Sequence, residues 1–140
     1  MINLENLNRQ HNAIMEEISL IESEIRKGIS KINVSETALH ISKLAGLLKI
    51  HSIEEDKFLY PSLLKCHDEV IKNMADLYVN EMGNLATLYK EFKDKYNVSS
   101  KINKDLNCFL SDGKQMMEVL KGRIKKEDEE LYYLVKNKGL

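Results

Sequence analysis

The stretch LENLNRQHNAIMEEISLIESEI, residues 4–25, decides the fold of this chain. Its apolar side chains recur at steps of three and four residues, with one histidine in the series: Leu4, Leu7, His11, Ile14, Ile18, Ile21 and Ile25. This spacing places the whole series on one stripe of an α-helix. A helix with a single apolar stripe buries that stripe against other helices. The segment therefore predicts the first member of a helical bundle, ending near Gly28, since glycine is common just after helix ends.

Three further segments have the same helical periodicity. The second helix is predicted to begin at Ser35, a candidate N-cap, and Pro61 either kinks it or ends it. The third helix follows Asp68, another candidate N-cap, and a polar segment at 96–105 separates it from the fourth. Long helices joined by short turns pack antiparallel. The sequence thus predicts an all-α fold, a single domain over residues 1–140 built as an up-down-up-down four-helix bundle.

Composition and charge exclude several classes of function. Hydrophobic residues make up 43% of the chain, charged residues 31%, and the formal net charge is −1. The basic pair Lys125-Lys126 is followed at once by acidic residues, which is typical of a solvated helix face rather than of a nucleic-acid interface. No apolar run approaches the roughly 20 residues that span a bilayer, and no export signal opens the sequence. We therefore expect a cytoplasmic protein that binds neither nucleic acid nor membrane.

Polar residues interrupt the apolar stripes of all four predicted helices. A buried, unpaired carboxylate is energetically costly, so such residues must be paired, protonated or bound to metal. Counting residues from the predicted turns places His11, His51 and Glu81 in a common layer of the bundle. His51 and Glu55 are four residues apart, so both side chains lie on the same side of the second helix. Inward-facing histidines and carboxylates form the iron and manganese sites of helical bundles. The predicted ligands are His11, His51, Glu55, Glu81 and Glu127.

Arg123 lies one turn before Glu127 on the same stripe, and a guanidinium does not bind metals. Two interpretations remain open. Arg123 either stands in for one cation beside a metal, or holds a metal-free cluster together through Arg–Glu pairs. His40 is roughly 16 Å from His51 along the helix and is expected outside the site. The tyrosines, including Tyr60 and Tyr132, are predicted to fill the core, and we predict no internal repeat.

The motifs of the chain resemble a known family, the hemerythrin-like (HHE cation-binding) domains. The resemblance rests on Gln10-His11, on the segment 51–56 running into Leu59-Tyr60-Pro61, and on 124–127 running into Leu131-Tyr132. It implies a four-helix bundle that holds a non-haem, usually di-iron, centre and serves oxygen binding, or the sensing of oxygen, redox state, iron or nitric oxide.

The resemblance also assigns residues to the family's ligand positions. His11, His51, Glu55 and Glu127 match these positions. Two positions depart from the pattern: Glu81-Met82 stands where the family has a third-helix histidine, and Arg123 stands where it has the last one.

Three functions are compatible with this sequence. The first is a non-haem iron protein, with one or two ions of iron or manganese, that binds or senses a small diatomic ligand or a redox signal. The second is an oxidase-like or iron-handling enzyme that uses a carboxylate-rich site. The third is a metal-free interaction module that retains the bundle. The sequence does not identify a protein partner.

Overall fold

The computed structural model describes residues 2–140, and within that range the chain is helical and contains no β-strand. Two of the helical segments are π-helical and are labelled π1 and π2. The elements are α1 Glu5–Lys27, α2 Val34–Glu54, π1 Glu55–Leu59, α3 Tyr60–Leu64, α4 Glu69–Tyr96, α5 Ser99–Lys104, α6 Leu106–Lys126, π2 Glu127–Tyr132 and α7 Tyr133–Asn137.

Short polar side chains and one glycine set the helix ends. Gly28 ends α1 with φ of 77°, a left-handed conformation that favours glycine. The Asp68 side chain accepts hydrogen bonds from the first backbone N–H groups of α4, which confirms the predicted N-cap. Asp105 caps α6 in the same way. The cap of α2 is Asn33 rather than the predicted Ser35, because the Asn33 side chain reaches the N–H of Glu36.

Replacing Asn33 with alanine is expected to lower the free energy of unfolding by about 1 kcal/mol, the usual loss for a missing N-cap. Ser35 is exposed and already inside the first turn, so Ser35→Ala is the matched control and should change stability by less than about 0.5 kcal/mol. Urea melts of the two variants measure the difference. Equal effects would mean that Asn33 does not cap α2.

The second and fourth long helices continue through a π-helical stretch instead of ending. The chain passes from α2 through π1 into α3, with Pro61 in the first turn of α3. In a regular α-helix proline lacks the N–H of one hydrogen bond and its ring clashes with the carbonyl four residues earlier; here the residues before Pro61 are π-helical. Pro61 therefore does not end the helix, which continues to Leu64 after the π-helical stretch. The predicted break at 96–105 likewise contains a short helix, α5.

The core consists of two apolar clusters, one on each side of a polar layer. Helix α1 packs on α2 and α6, and α4 packs on α2, α3 and α6. The larger cluster includes Ile14, Ile18, Ile41, Leu44, Phe109, Met117 and Leu120. The smaller includes Leu7, Leu59, Tyr60, Leu63, Ile71, Tyr78, Leu131 and Tyr132. His11 follows Leu7 by one turn and precedes Ile14 by one turn, so it lies between the clusters.

No helix among the described residues combines the length and the apolar character needed to cross a bilayer.

Candidate metal centre

Four of the five predicted ligands meet inside the bundle. One potential ligand atom from each of His11, His51, Glu55 and Glu127 lies within 4.8 Å of every other. His11 comes from α1, His51 from the last turn of α2, and the two glutamates are the first residues of π1 and π2. All four side chains are buried. The change from α- to π-helical geometry at each glutamate coincides with this site, and such bulges are frequent at functional sites.

Both histidines present Nε2 to the centre because Nδ1 is engaged elsewhere. Nδ1 of His11 lies 2.7 Å from Oδ1 of Asp128, and an ionised carboxylate only accepts hydrogen bonds. Nδ1 of His51 lies 2.7 Å from the side-chain oxygen of Gln10. In the neutral ring each Nδ1 therefore carries the proton and the lone pair is on Nε2; Nε2 of His11 lies 2.9 Å from Nε2 of His51 and 3.3 Å from the Tyr132 hydroxyl. This is the arrangement in which outer partners orient metal-binding histidines.

The two carboxylates each use one oxygen and leave the other without a partner. Oε2 of Glu127 accepts a hydrogen bond from the Tyr60 hydroxyl at 3.0 Å, and Oε2 of Glu55 accepts one from Tyr132 at 2.8 Å. Oε1 of Glu55 and Oε1 of Glu127 are buried and form no hydrogen bond within residues 2–140. A buried carboxylate oxygen without a partner is costly, so both atoms require a cation or a proton.

The protonation equilibria of these four groups are strongly perturbed. Burial and the adjacent His11 lower the pKa of His51 to about 4. Burial also lowers the pKa of His11, but the neighbouring carboxylates, led by Glu127, outweigh it and raise that pKa overall. Burial, and then the neighbouring Glu127, raise the pKa of Glu55 well above its usual range. Burial opposes ionisation of Glu127, yet its contacts with Glu55 and His11 lower its pKa to about 2.

Three pairs of donor atoms lie close enough together to share a metal ion. The two Nε2 atoms are 2.9 Å apart, His51 Nε2 is 3.3 Å from Glu55 Oε1, and His11 Nε2 is 3.6 Å from Glu127 Oε1. Two ligands bonded to one ion at about 2.1 Å are at most about 4.2 Å apart, so each of these three distances allows a shared ion. Two imidazole nitrogens facing two carboxylate oxygens suit a divalent transition metal.

The family comparison agrees with this geometry. The hemerythrin HHE cation binding domain matches residues 3–135. The chain belongs to the hemerythrin HHE domain family. No curated protein and no solved structure matched the chain. Because the family is described as cation-binding, the buried His/Glu cluster of this hemerythrin-like chain is identified as its candidate metal centre.

Arg123 extends into the bundle beside the centre, as the sequence predicted. Its side chain is 7% exposed, and Nη1 contacts Oε2 of Glu81 at 2.7 Å. Nη2 donates to the backbone oxygen of Tyr78 at 2.8 Å, and the guanidinium lies 4.4 Å from the centroid of the Tyr78 ring. Nε has no hydrogen-bond partner among the described residues and lies 3.9 Å from Oε1 of Glu127. The fixed positive charge thus stands next to a ligand carboxylate.

Glu81 does not join the centre, so the structure does not support its prediction as a fifth ligand. Its side chain is 41% exposed, and its carboxylate is shared between Arg123 and Lys126. Counting residues from the turns predicted that Glu81 lies in the same layer of the bundle as His11 and His51. It could not predict that the side chain would turn outward to pair with cations. His40 also lies outside the centre, as predicted, where its Nδ1 contacts Glu17 at 2.6 Å.

Sequence reasoning missed the residues that position the ligands. Tyr60 and Tyr132 were predicted as core residues; they are buried, but their hydroxyls bind the ligand carboxylates. A signal for them exists in the sequence, because Glu-Asp-x-x-Leu-Tyr occurs at 55–60 and again at 127–132. The prediction of no internal repeat overlooked this correspondence, which also includes the π-helical geometry of both segments.

Proposed function

We propose that this hemerythrin-like chain binds one non-haem iron ion through His11, His51, Glu55 and Glu127, and that it binds or senses a small diatomic ligand or redox state. The observation that carries the proposal is the convergence of two unpartnered, buried carboxylate oxygens with two imidazole Nε2 atoms. Two histidines with carboxylates are typical donors for non-haem iron, and manganese accepts the same set. Bound iron would supply a redox couple and coordination positions for a small ligand.

The residues around the centre favour the binding of a small ligand over a reaction on a large substrate. Asp128 and Gln10 fix the two imidazole rings, and Tyr132 stacks on His11 with ring centroids 4.9 Å apart and planes 7° from parallel. The ligand side chains are buried, so a large substrate does not reach them. We extend the proposal to a cytoplasmic protein with an antiparallel up-down-up-down bundle that binds neither nucleic acid nor membrane.

The positive charge of Arg123 favours the binding of one metal ion over the binding of two. A guanidinium remains protonated, and here its Nε lies 3.9 Å from Oε1 of Glu127. Like charges at such short range repel, so Arg123 takes the electrostatic role of a second ion.

The first experiment is elemental analysis of protein purified without added metal, together with its absorption spectrum. We expect close to one iron per chain and no metal in a His11→Ala/His51→Ala double variant. Protein that contains no metal, and takes up none when ferrous iron is added anaerobically, would contradict the proposal and favour a metal-free interaction module. Steady oxygen consumption by the ferrous form with a reductant would instead favour an oxidase-like or iron-handling enzyme.

Substitution of Arg123 by histidine is expected to raise the metal stoichiometry above that of the parent. The change removes the cation and places an imidazole one turn before Glu127, in the same relation as His51 to Glu55. Metal counting after saturation with ferrous iron measures the change. Lys126→His, on the same helix but partly exposed, is the control and should leave the stoichiometry unchanged. An unaltered count in both variants would show that Arg123 does not exclude a second ion.

A further inference from the structure

The two ligand carboxylates are held by a reciprocal pair of tyrosine hydrogen bonds. Tyr60, at the end of the first Glu-Asp-x-x-Leu-Tyr segment, donates to the glutamate of the second segment at 3.0 Å. Tyr132, at the end of the second segment, donates to the glutamate of the first at 2.8 Å. Each segment therefore supplies one carboxylate and restrains the carboxylate of the other.

Both tyrosines are held firmly enough to act as fixed donors. Each is 3% exposed and belongs to the smaller apolar cluster, next to residues such as Leu59 and Leu131. Tyr132 is further restrained by its parallel stacking on His11. The ring of a tyrosine is placed by only two side-chain torsions, so burial in the core fixes the hydroxyl position at small entropic cost.

In each carboxylate the tyrosine hydroxyl binds Oε2, and Oε1 has no hydrogen-bond partner among the described residues. A glutamate binds a metal through one oxygen or through both. Because a hydroxyl binds Oε2 of each carboxylate, Oε1 of Glu55 and of Glu127 is the oxygen with no competing hydrogen bond and the preferred donor to an ion. The protein then supplies four donor atoms. Without the hydroxyls, the same side chains could supply six and complete an octahedral shell.

The geometry points to Tyr60 and Tyr132 as positioning residues that hold both ligand carboxylates in a one-oxygen binding mode, which keeps coordination positions open for an external small ligand. This inference rests on the proposed metal site and deepens it. The Tyr60 hydroxyl contacts Glu127, and the Tyr132 hydroxyl contacts Glu55 and, at 3.3 Å, Nε2 of His11. Both hydroxyls therefore act through ligand side chains rather than on the small ligand. They set how many positions remain, and thereby whether the centre binds a small anion or gas at all.

The test compares Tyr60→Phe, Tyr132→Phe and their double variant with the parent. Each change removes only a hydroxyl and keeps the ring in the core. The matched control is Tyr89→Phe, whose buried hydroxyl donates to the backbone oxygen of Ile41 at 2.7 Å, in the larger apolar cluster. Ferrous iron affinity is measured by competition with a chelator. The loaded protein is then oxidised, and sodium azide is titrated while the charge-transfer absorption is followed.

We expect the double variant to bind iron as tightly as the parent, or up to about tenfold more tightly, because each freed oxygen can join the ion. Its azide affinity should fall at least about tenfold, with each single variant in between and Tyr89→Phe equal to the parent. This opposite movement of the two affinities separates a positioning role from a structural one, since loss of packing would weaken both.

Three results would overturn the inference. Azide affinity that is unchanged in the double variant would show that the hydroxyls do not keep positions open. Iron and azide affinities that fall together would show that the tyrosines only support the fold. A parent that binds iron but no azide would show that no position is open. A parent that binds no metal would overturn the proposed function itself, and is recognised before any variant is made.

Discussion

Replacing Arg123 with alanine is expected to lower the free energy of unfolding of the metal-free protein by about 3 kcal/mol. The guanidinium is nearly buried, donates to the Tyr78 backbone and contacts Glu81. Its loss leaves the Tyr78 oxygen without that donor and removes the cation beside the buried Glu127. Breaking a buried ion pair costs about 3–5 kcal/mol, and the exposure of Glu81 places this case at the lower end. Denaturant melts of the apo-protein measure the effect.

Lys126→Ala is the matched control for this prediction. Lys126 contacts the same Glu81 carboxylate at 3.4 Å and lies 5.0 Å from the same Tyr78 ring, but its side chain is 36% exposed. Solvent screens such a pair, so its loss should cost less than about 1 kcal/mol. If Arg123→Ala melted like Lys126→Ala, the buried position of Arg123 beside Glu127 would carry no energetic weight, and its role as a replacement for a second cation would be wrong.

Replacing His51 with alanine is expected to reduce the affinity for ferrous iron by at least about 100-fold. Loss of an outer partner of a metal-binding histidine alone costs about 10–100-fold, and this change removes the ligand atom itself. His51 Nε2 stands 2.9 Å from His11 Nε2 and 3.3 Å from Glu55 Oε1, so the remaining three donors would face a gap. Elemental analysis after gel filtration, and competition with a chelator, measure the loss.

His40→Ala is the control, since His40 is a histidine on the same helix whose imidazole contacts Glu17 instead of the cluster. Its metal content should equal that of the parent. Equal losses in the two variants would mean that metal binds outside the cluster or that both changes simply unfold the bundle. Far-UV circular dichroism of each variant distinguishes these two explanations.

Periodicity alone predicted the features of this chain that depend on which side of a helix a residue occupies. It placed His11, His51, Glu55 and Glu127 on buried stripes, and these four meet. It also predicted that Arg123 points inward. These predictions succeed because a stripe defined by apolar neighbours fixes the direction of the polar residue among them.

The predictions failed where a side chain had a choice of partners. Glu81 is 41% exposed, and its carboxylate contacts two cations, the buried Arg123 and the partly exposed Lys126. The cap of α2 moved from Ser35 to Asn33 because either side chain can cap a helix and only the loop geometry selects one. The tyrosine hydrogen bonds join residues 67 and 77 positions apart, Tyr60 to Glu127 and Tyr132 to Glu55, and helical periodicity alone does not predict such pairings.

The division of the apolar core into two clusters has a mechanical consequence for the molecule. Dispersion contacts inside each cluster are continuous, whereas the plane between them is bridged by imidazoles, carboxylates and hydroxyls. Cooperative unfolding can divide at this plane, because the buried apolar residues form separate clusters on its two sides. A cation bound there would join α1, α2, π1 and π2 across this plane by four bonds. Occupancy would then set whether the two ends of the bundle melt as one unit or as two.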